Sequence, residues 1–228
     1  MLPPDLPPVS NKILYAYRVF AKWLSFFFFG FSTLLLLVFI FPPMRLFLHP
    51  KERFKKYGRR FISSSLNFFI WFMSTIGAAK LKCGDREKFR RLNSKIIAAN
   101  HPSILDVIYL FSLIPNADCI VNSNLARSIV GGVIRQLYIF NSLEFDKLLD
   151  ACTESLKQGN CLIIFPEGTR TPRQGKISLR KGAARIALSS GCGILTVNIG
   201  GTDKYGLGKH DPWTGYNPVD CYIYDISM

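Results

Sequence analysis

The sequence predicts an α/β fold, a mixed, largely parallel sheet flanked by helices, preceded by an N-terminal pair of membrane-anchoring helices. Three observations predict it. From about Leu81 onward, short apolar runs alternate with amphipathic stretches. That strand–helix–strand rhythm makes neighbouring strands parallel. Residues 24–41 read LSFFFFGFSTLLLLVFIF without a charge, enough for a helix of roughly 27 Å, close to the thickness of a bilayer core. Basic residues crowd both ends of that run. The chain therefore divides into membrane-associated helices over 1–80 and a second domain over 81–228.

Lys12, Arg18 and Lys22 precede the apolar run, and Arg45, Lys51, Arg53, Lys55, Lys56, Arg59 and Arg60 follow it. The stronger cluster follows, so a simple span leaves the C-terminal domain facing the cytoplasm. Two basic flanks equally suit a helix pair lying in one leaflet, with the weaker apolar stretch 61–79 as its second member. Pro42-Pro43-Met44-Arg45 offers no small-residue cleavage site, which argues against a signal peptide. His49, beside Pro50, reads as interfacial.

In the second domain, residues 95–99 (KIIAA) predict a strand ending at Asn100-His101-Pro102. Residues 106–113 have helical spacing and stop near Pro115, and 119–121 predict a short strand. Over 145–157 Leu148, Leu149, Cys152 and Leu156 share one helix face, and Gly159 is the C-cap. A buried strand at 161–165 (CLIIF), a helix at 178–189 capped near Gly191, and a strand at 194–199 (ILTVNI) complete the series. The segment 200–218 is turn-rich, suited to shaping a pocket or to packing through Trp213, and His210 reads as a loop residue.

The net charge of +14, from 29 Lys and Arg against 15 Asp and Glu, calls for an anionic partner. The apolar N-terminal third selects a membrane over nucleic acid, and no zinc-ligand spacing or aromatic RNA-binding strand is present. Cys83, Cys119, Cys152, Cys161, Cys192 and Cys221 form no CxxC pair, which points to core thiols in a reducing compartment.

Two blocks follow strands, where sites of parallel sheets gather. The first runs Asn100-His101-Pro102-Ser103-Ile104-Leu105-Asp106. A histidine can take the proton of a hydroxyl as it attacks, worth typically 10²–10⁴-fold, and a carboxylate on its other nitrogen fixes the tautomer. A helix starting near Pro102 would put Asp106 little more than one turn on, within reach of His101. The second block is Phe165-Pro166-Glu167-Gly168-Thr169-Arg170. Gly168 permits a tight turn, Arg170 offers a planar fork for phosphate, and Glu167 either receives a ligand hydroxyl or holds Arg170. Alone, each block reads as readily as a chance His/Asp pair or a surface turn.

Together they resemble the glycerophospholipid acyltransferase family, which includes the 1-acylglycerol-3-phosphate acyltransferases. Its hallmarks are Asn-His-x4-Asp and, about sixty residues later, Phe-Pro-Glu-Gly-Thr-Arg; here His101 and Glu167 stand 66 apart, and the likeness extends over about 96–199. The resemblance implies an acyltransferase catalytic domain over 81–228 with His101 as general base and Asp106 as its partner. It implies that Glu167, Gly168, Thr169 and Arg170 hold the acceptor, with Lys181, in a run similar to the family's basic-glycine element, on phosphate or merely solvated at a helix end. It further implies acyl-CoA or acyl carrier protein as donor, a lysolipid acceptor in the membrane, no metal or bound cofactor, and no acyl-enzyme on Ser103.

Two departures concern the acceptor. The family's intermediate block ends in an arginine where this chain has Asn141-Ser142, leaving Arg135 as a substitute or as a basic residue near the membrane; and Thr196 replaces a strand proline. The leading expectation is transfer to 1-acyl-sn-glycerol-3-phosphate, giving phosphatidic acid. Another lysolipid, an amino-acid lipid or a glycolipid is the alternative acceptor. A thioester hydrolase, with His101 activating water, and a non-catalytic lipid-binding adaptor are the rival classes.

Overall fold

In a computed structural model, which describes residues 5–48, 51–121, 123, 131–173 and 176–228, the charge-free run is helical over a longer stretch than its apolar centre. α1 (Lys12–Leu35) starts at Asn11, whose side chain accepts the Leu14 N–H at 3.0 Å. Pro42 and Pro43 do not end it. The backbone widens into one π-helical turn, Leu36–Ile40, and resumes as α2 (Phe41–Phe47), with both prolines in the first turn. There the missing N–H groups leave no bond unmade.

α3 (Lys51–Thr75) begins inside the basic cluster and carries the second apolar stretch in its C-terminal half. Of the expected anchoring pair, the first member alone is long and apolar enough to cross a membrane among the described residues, as the stretch Lys12–Phe47. α3 instead lends Phe69, Ile70 and Met73 to the main core, and its Arg59 forms a buried ion pair with Asp118 at 2.6 Å. His49 lies outside the described residues.

The remaining elements are β1 (Ala79–Lys82), α4 (Arg86–Arg91), β2 (Ile96–Ala99), α5 (Asp106–Leu113), β3 (Ala117–Val121), α6 (Gly131–Leu137), β4 (Ile139–Phe140), α7 (Phe145–Lys157), β5 (Cys161–Ile164), α8 (Gly182–Ser190), β6 (Ile194–Gly201) and β7 (Tyr222–Ser227). The sheet order is β1-β7-β6-β2-β5-β3-β4, parallel throughout except for the β6–β7 pair. The mixed, largely parallel sheet flanked by helices is as the sequence predicts. β2 is central, with Ile97 beside Ile163 of β5 and Leu195 of β6. Its two faces are both covered, hence the uninterrupted apolar IIAA.

α5 starts at Asp106, as the helical spacing of 106–113 predicts, with no helical turn before it from Pro102. The start of α8 moved in a way that matters to the site. α8 starts at Gly182, because the Arg180 N–H is spent on the Pro166 carbonyl at 2.7 Å. Gly191 closes α8 at φ +68°, and Gly159 follows α7 at φ +85°.

Candidate active site

Both blocks leave neighbouring strands at the same edge: β2 delivers the first and β5 the second. Asn100 fixes the exit of the first. Its amide donates to the Ile199 carbonyl at 2.9 Å and accepts the Ile199 N–H at 2.7 Å, extending the β2–β6 ladder through a side chain. The chain then turns, and the first residue of α5 brings its carboxylate back. His101 Nδ1 lies 2.9 Å from Asp106 Oδ2.

Asp106 is fully buried and held on both oxygens. Oδ2 also accepts the Ser103 N–H at 2.7 Å, and Oδ1 accepts the Ser103 hydroxyl at 2.6 Å. A carboxylate only accepts, so Nδ1 carries the imidazole proton and Nε2 keeps a lone pair. Among the described residues Nε2 has no hydrogen-bond partner, and the side chain is 17% exposed, enough to meet a ligand. The Phe165 ring stacks on the imidazole, with centroids 4.1 Å apart. The arrangement leaves Nε2 able to accept a proton.

The second block binds the first from behind. Glu167 is buried, and its Oε1 accepts the His101 N–H at 3.2 Å and the Thr171 hydroxyl at 2.7 Å. Thr171 N–H in turn donates to the His101 carbonyl at 2.7 Å. Both acceptor positions of Oε1 are thus taken within the protein, and no bond to Arg170 is seen; Oε2 is buried without a partner among the described residues. Thr169 is exposed in the turn, and Thr171 is the threonine engaged with His101.

Arg170 Nη1 donates to the Leu207 and Gly208 carbonyls at 3.0 and 2.8 Å. The Leu207 carbonyl also accepts the Ile104 N–H at 3.1 Å. Both blocks and the turn-rich segment after β6 thus converge on one carbonyl. Nε and Nη2 of Arg170 have no partner among the described residues. Gly168 adopts φ +66°, and the Arg180 side chain covers it so closely that a Cβ would lie 2.5 Å from Arg180 Nε. That packing sets a second guanidinium beside the turn, with exposed Lys181 next in the chain. Arg180 escaped the sequence reading because helical spacing was extended one turn too far.

Arg135 is placed elsewhere. It lies in the last turn of α6, beside the edge strand β4 and three strands from β2, and its Nε donates to the Gly131 carbonyl at 3.2 Å. No hydrogen bond joins it to the His101 cluster among the described residues. Nothing local in the sequence marks Lys204, the bond of Ser103 to Tyr224, or β7 as part of this cluster. Lys204 is buried, its ammonium donates to the Gly200 and Ile223 carbonyls at 3.3 and 2.8 Å and to that of Thr202, and burial lowers its pKa to about 8.

An acyltransferase family model matches residues 80–200, more than half of the chain and all of both blocks. A chloroplast 1-acyl-sn-glycerol-3-phosphate acyltransferase of Arabidopsis thaliana is 29% identical over 116 residues, covering 48% of this chain and 32% of the relative. The Helicobacter pylori 1-acyl-sn-glycerol-3-phosphate acyltransferase is 35% identical over 102 residues, covering 41% and 43%. A Chlamydomonas reinhardtii counterpart is 28% identical over 205 residues, covering 87% of this chain and 59% of its own. The chain spans only part of the length of these relatives. The crystal structure of the 1-acyl-sn-glycerophosphate acyltransferase of Thermotoga maritima superposes with a TM-score of 0.65 at 23% identity, over 92% of this chain and 86% of that one, a likeness of fold.

Proposed function

This chain belongs to the acyltransferase family, and from that premise we propose that it moves a fatty acyl group from acyl-CoA or acyl carrier protein to a hydroxyl of a lysophospholipid. The preferred acceptor is 1-acyl-sn-glycerol-3-phosphate, the product phosphatidic acid. One observation carries the proposal: an imidazole tied through Nδ1 to a buried carboxylate at 2.9 Å, with no partner on Nε2 among the described residues and both sequence blocks fastened around it.

In the reaction, Nε2 of His101 takes the proton of the acceptor hydroxyl as its oxygen forms a bond to the thioester carbonyl carbon. Asp106 steadies the imidazolium. The tetrahedral intermediate then expels the thiolate, breaking the C–S bond, and the thiolate takes the proton from Nε2. An ester and a thiol result, and the base is restored. As proposed, the chemistry is complete with these groups and uses no bound cofactor. Arg170 fastens the loop after β6 and offers Nε and Nη2 to the acceptor phosphate, with Arg180 and Lys181 beside it. The basic surface suits either donor, since both are acidic.

The proposed setting is the membrane, with the catalytic domain on the cytoplasmic side. Each methylene left in lipid saves roughly 0.8 kcal/mol, so a long-chain acceptor has reason not to enter water. The test is a matrix of labelled acyl thioesters against lysolipids of different headgroup, with wild type and His101→Ala. Transfer to the glycerol phosphate acceptor, reduced at least about 10²-fold in His101→Ala, is expected. Thioester hydrolysis independent of acceptor, or unchanged activity in His101→Ala, would overturn the proposal.

A further inference from the structure

Behind Asp106 lies a set of buried groups that this chemistry does not use. Ser103 Oγ is 2.6 Å from Asp106 Oδ1 and 2.7 Å from the phenol oxygen of Tyr224, and all three residues have 0% exposure. Tyr224 sits on β7, beyond the stretch 80–200 that the family model matches.

The direction of the bonds follows from the donors available. Asp106 accepts, so the single serine proton goes to it. Burial holds the Tyr224 phenol protonated well above its ordinary range. It must then donate to Ser103 Oγ, which also accepts the Leu105 N–H at 3.2 Å. Every proton in the chain Tyr224–Ser103–Asp106 points towards the carboxylate. The Tyr224 ring is stacked on Tyr109 at 4.1 Å, and the Lys204 ammonium stands 4.5 Å from its centroid. A cation on the ring face draws electron density from the phenol and sharpens its O–H as a donor, and linked bonds of this kind polarise one another.

We infer that Tyr224 is a positioning residue for the His101–Asp106 pair, acting through Ser103 to hold the carboxylate with Oδ2 facing the imidazole. The inference rests on His101 being the base. Without the phenol oxygen, Ser103 keeps its bond to Asp106 but loses the donor that fixes its rotamer. The carboxylate then gains freedom to turn away from Nδ1.

Tyr224→Phe keeps the ring on Tyr109 and removes one oxygen. The expected result is a KM for each substrate within about twofold of wild type, kcat lower by about tenfold, and a displaced acidic limb in kcat against pH. The charged and titratable groups facing the pair are Glu167 after β5, Lys204 after β6, Tyr109 on α5 and Tyr224 on β7, and the variant changes only the last.

Tyr222→Phe is the control. It lies on the same strand, is 1% exposed, and its hydroxyl donates to the Tyr205 carbonyl at 2.6 Å. It should lower the unfolding temperature about as much, while leaving kcat and its pH profile unchanged. Adding Tyr224→Phe to Ser103→Ala should cost nothing further, because the chain is already cut. Nitrogen-15 spectra of the His101 ring read the tautomer without turnover: Nδ1–H in wild type and a mixture in Tyr224→Phe are expected. If Tyr224→Phe matches Tyr222→Phe in kcat, pH profile and tautomer, the inference is overturned. If His101→Ala transfers as well as wild type, the reading of the base falls instead, and the spectra still decide the role of Tyr224.

Discussion

At the scale of single residues, burial of charge is the force that shapes this site. Lys204 is 7% exposed, and its pKa of about 8 comes chiefly from desolvation, opposed by the charges of Asp106 and Asp203. In the unfolded chain the ordinary value of 10.5 applies. Below pH 8 both states carry the proton and the folded state bears the full penalty. Between about 8 and 10.5 the folded state sheds its proton first, the unfolded state binds more, and stability rises with pH. The rise amounts to at most about 3 kcal/mol across the window. Denaturant titrations in detergent at pH 7.5 and pH 10 should show wild type gaining stability relative to Lys204→Met over this interval, the raised thiols and phenols shifting both proteins alike. Equal pH dependence in the two proteins would mean that Lys204 is not held charged against its surroundings. The site's geometry was visible in the sequence wherever near neighbours in the chain make it: the His101–Asp106 pair and the turn at Gly168. It was hidden wherever a role depends on contacts distant in sequence. Glu167 reads as a ligand or as a partner for Arg170 until the fold sets it behind His101. Thr169 and Thr171 are indistinguishable until the turn chooses.

At the scale of elements, the ion pair of Arg59 on α3 with Asp118 on β3 pins the N-terminal helices to the sheet. Their N–O distance is 2.6 Å, and their side chains are 5% and 2% exposed. Burial pushes the Asp118 carboxyl up, while Arg59, the Ser155 hydroxyl and the Cys119 N–H pull it down. Arg59→Met leaves that carboxylate unpaired and is expected to cost about 3–5 kcal/mol of stability. Asp118→Asn in the same protein should recover part of the loss, because the buried charge goes with it; thermal unfolding of the two variants makes the comparison. Nothing in the sequence marks this pair, since Arg59 is one of seven basic residues after the apolar run. The elements that were legible are those whose signal is local. α5 and α7 have the bounds their spacing and flanking Pro115 and Gly159 predict, and β2, β5 and β6 announce themselves as apolar runs. β1 and β7 alternate inward and outward, AKLK and YIYDIS, but a four-residue run with two apolar members and a run that directly follows the turn-rich segment give weak local signals that pairing completes. The predicted α8 is one turn longer than the observed helix because a tertiary bond, from the Arg180 N–H to the Pro166 carbonyl, ties the preceding residues to the second block.

At the scale of the whole molecule, α1 is built inside out for water. Lys22 and Ser25 are buried, with Lys22 donating to the Trp213 and Gly215 carbonyls at 2.5 Å each, whereas Phe20, Phe27 and Phe31 stand 61%, 72% and 52% exposed. A helix that turns its cation inward and its phenylalanines outward has a nonpolar solvent on its outer face. Trp213, half exposed beside Trp23 and Phe26, extends that face onto the segment after β6, the same segment whose Leu207 carbonyl meets Ile104 and Arg170. The outward aromatic face of α1 and the His101 cluster are therefore joined through one loop. Two consequences distinguish anchoring from attraction by charge. Attraction depends on the net charge of +14 and fades when 1 M salt shortens the screening length to about 3 Å, whereas burial of aromatic rings does not. Wild type bound to anionic vesicles should accordingly stay bound through a 1 M salt wash in a flotation assay. Phe27→Asp with Phe31→Asp removes two outward rings that support no core, each worth roughly 1.5–3 kcal/mol when buried in lipid, and should weaken retention about a hundredfold or more. The same variant should lose transfer to a long-chain lysolipid in vesicles yet keep it towards a short-chain, water-soluble acceptor. Loss with both acceptors would mean that the helix supports the catalytic fold itself rather than access to the membrane, and equal retention with both would remove the membrane from the mechanism.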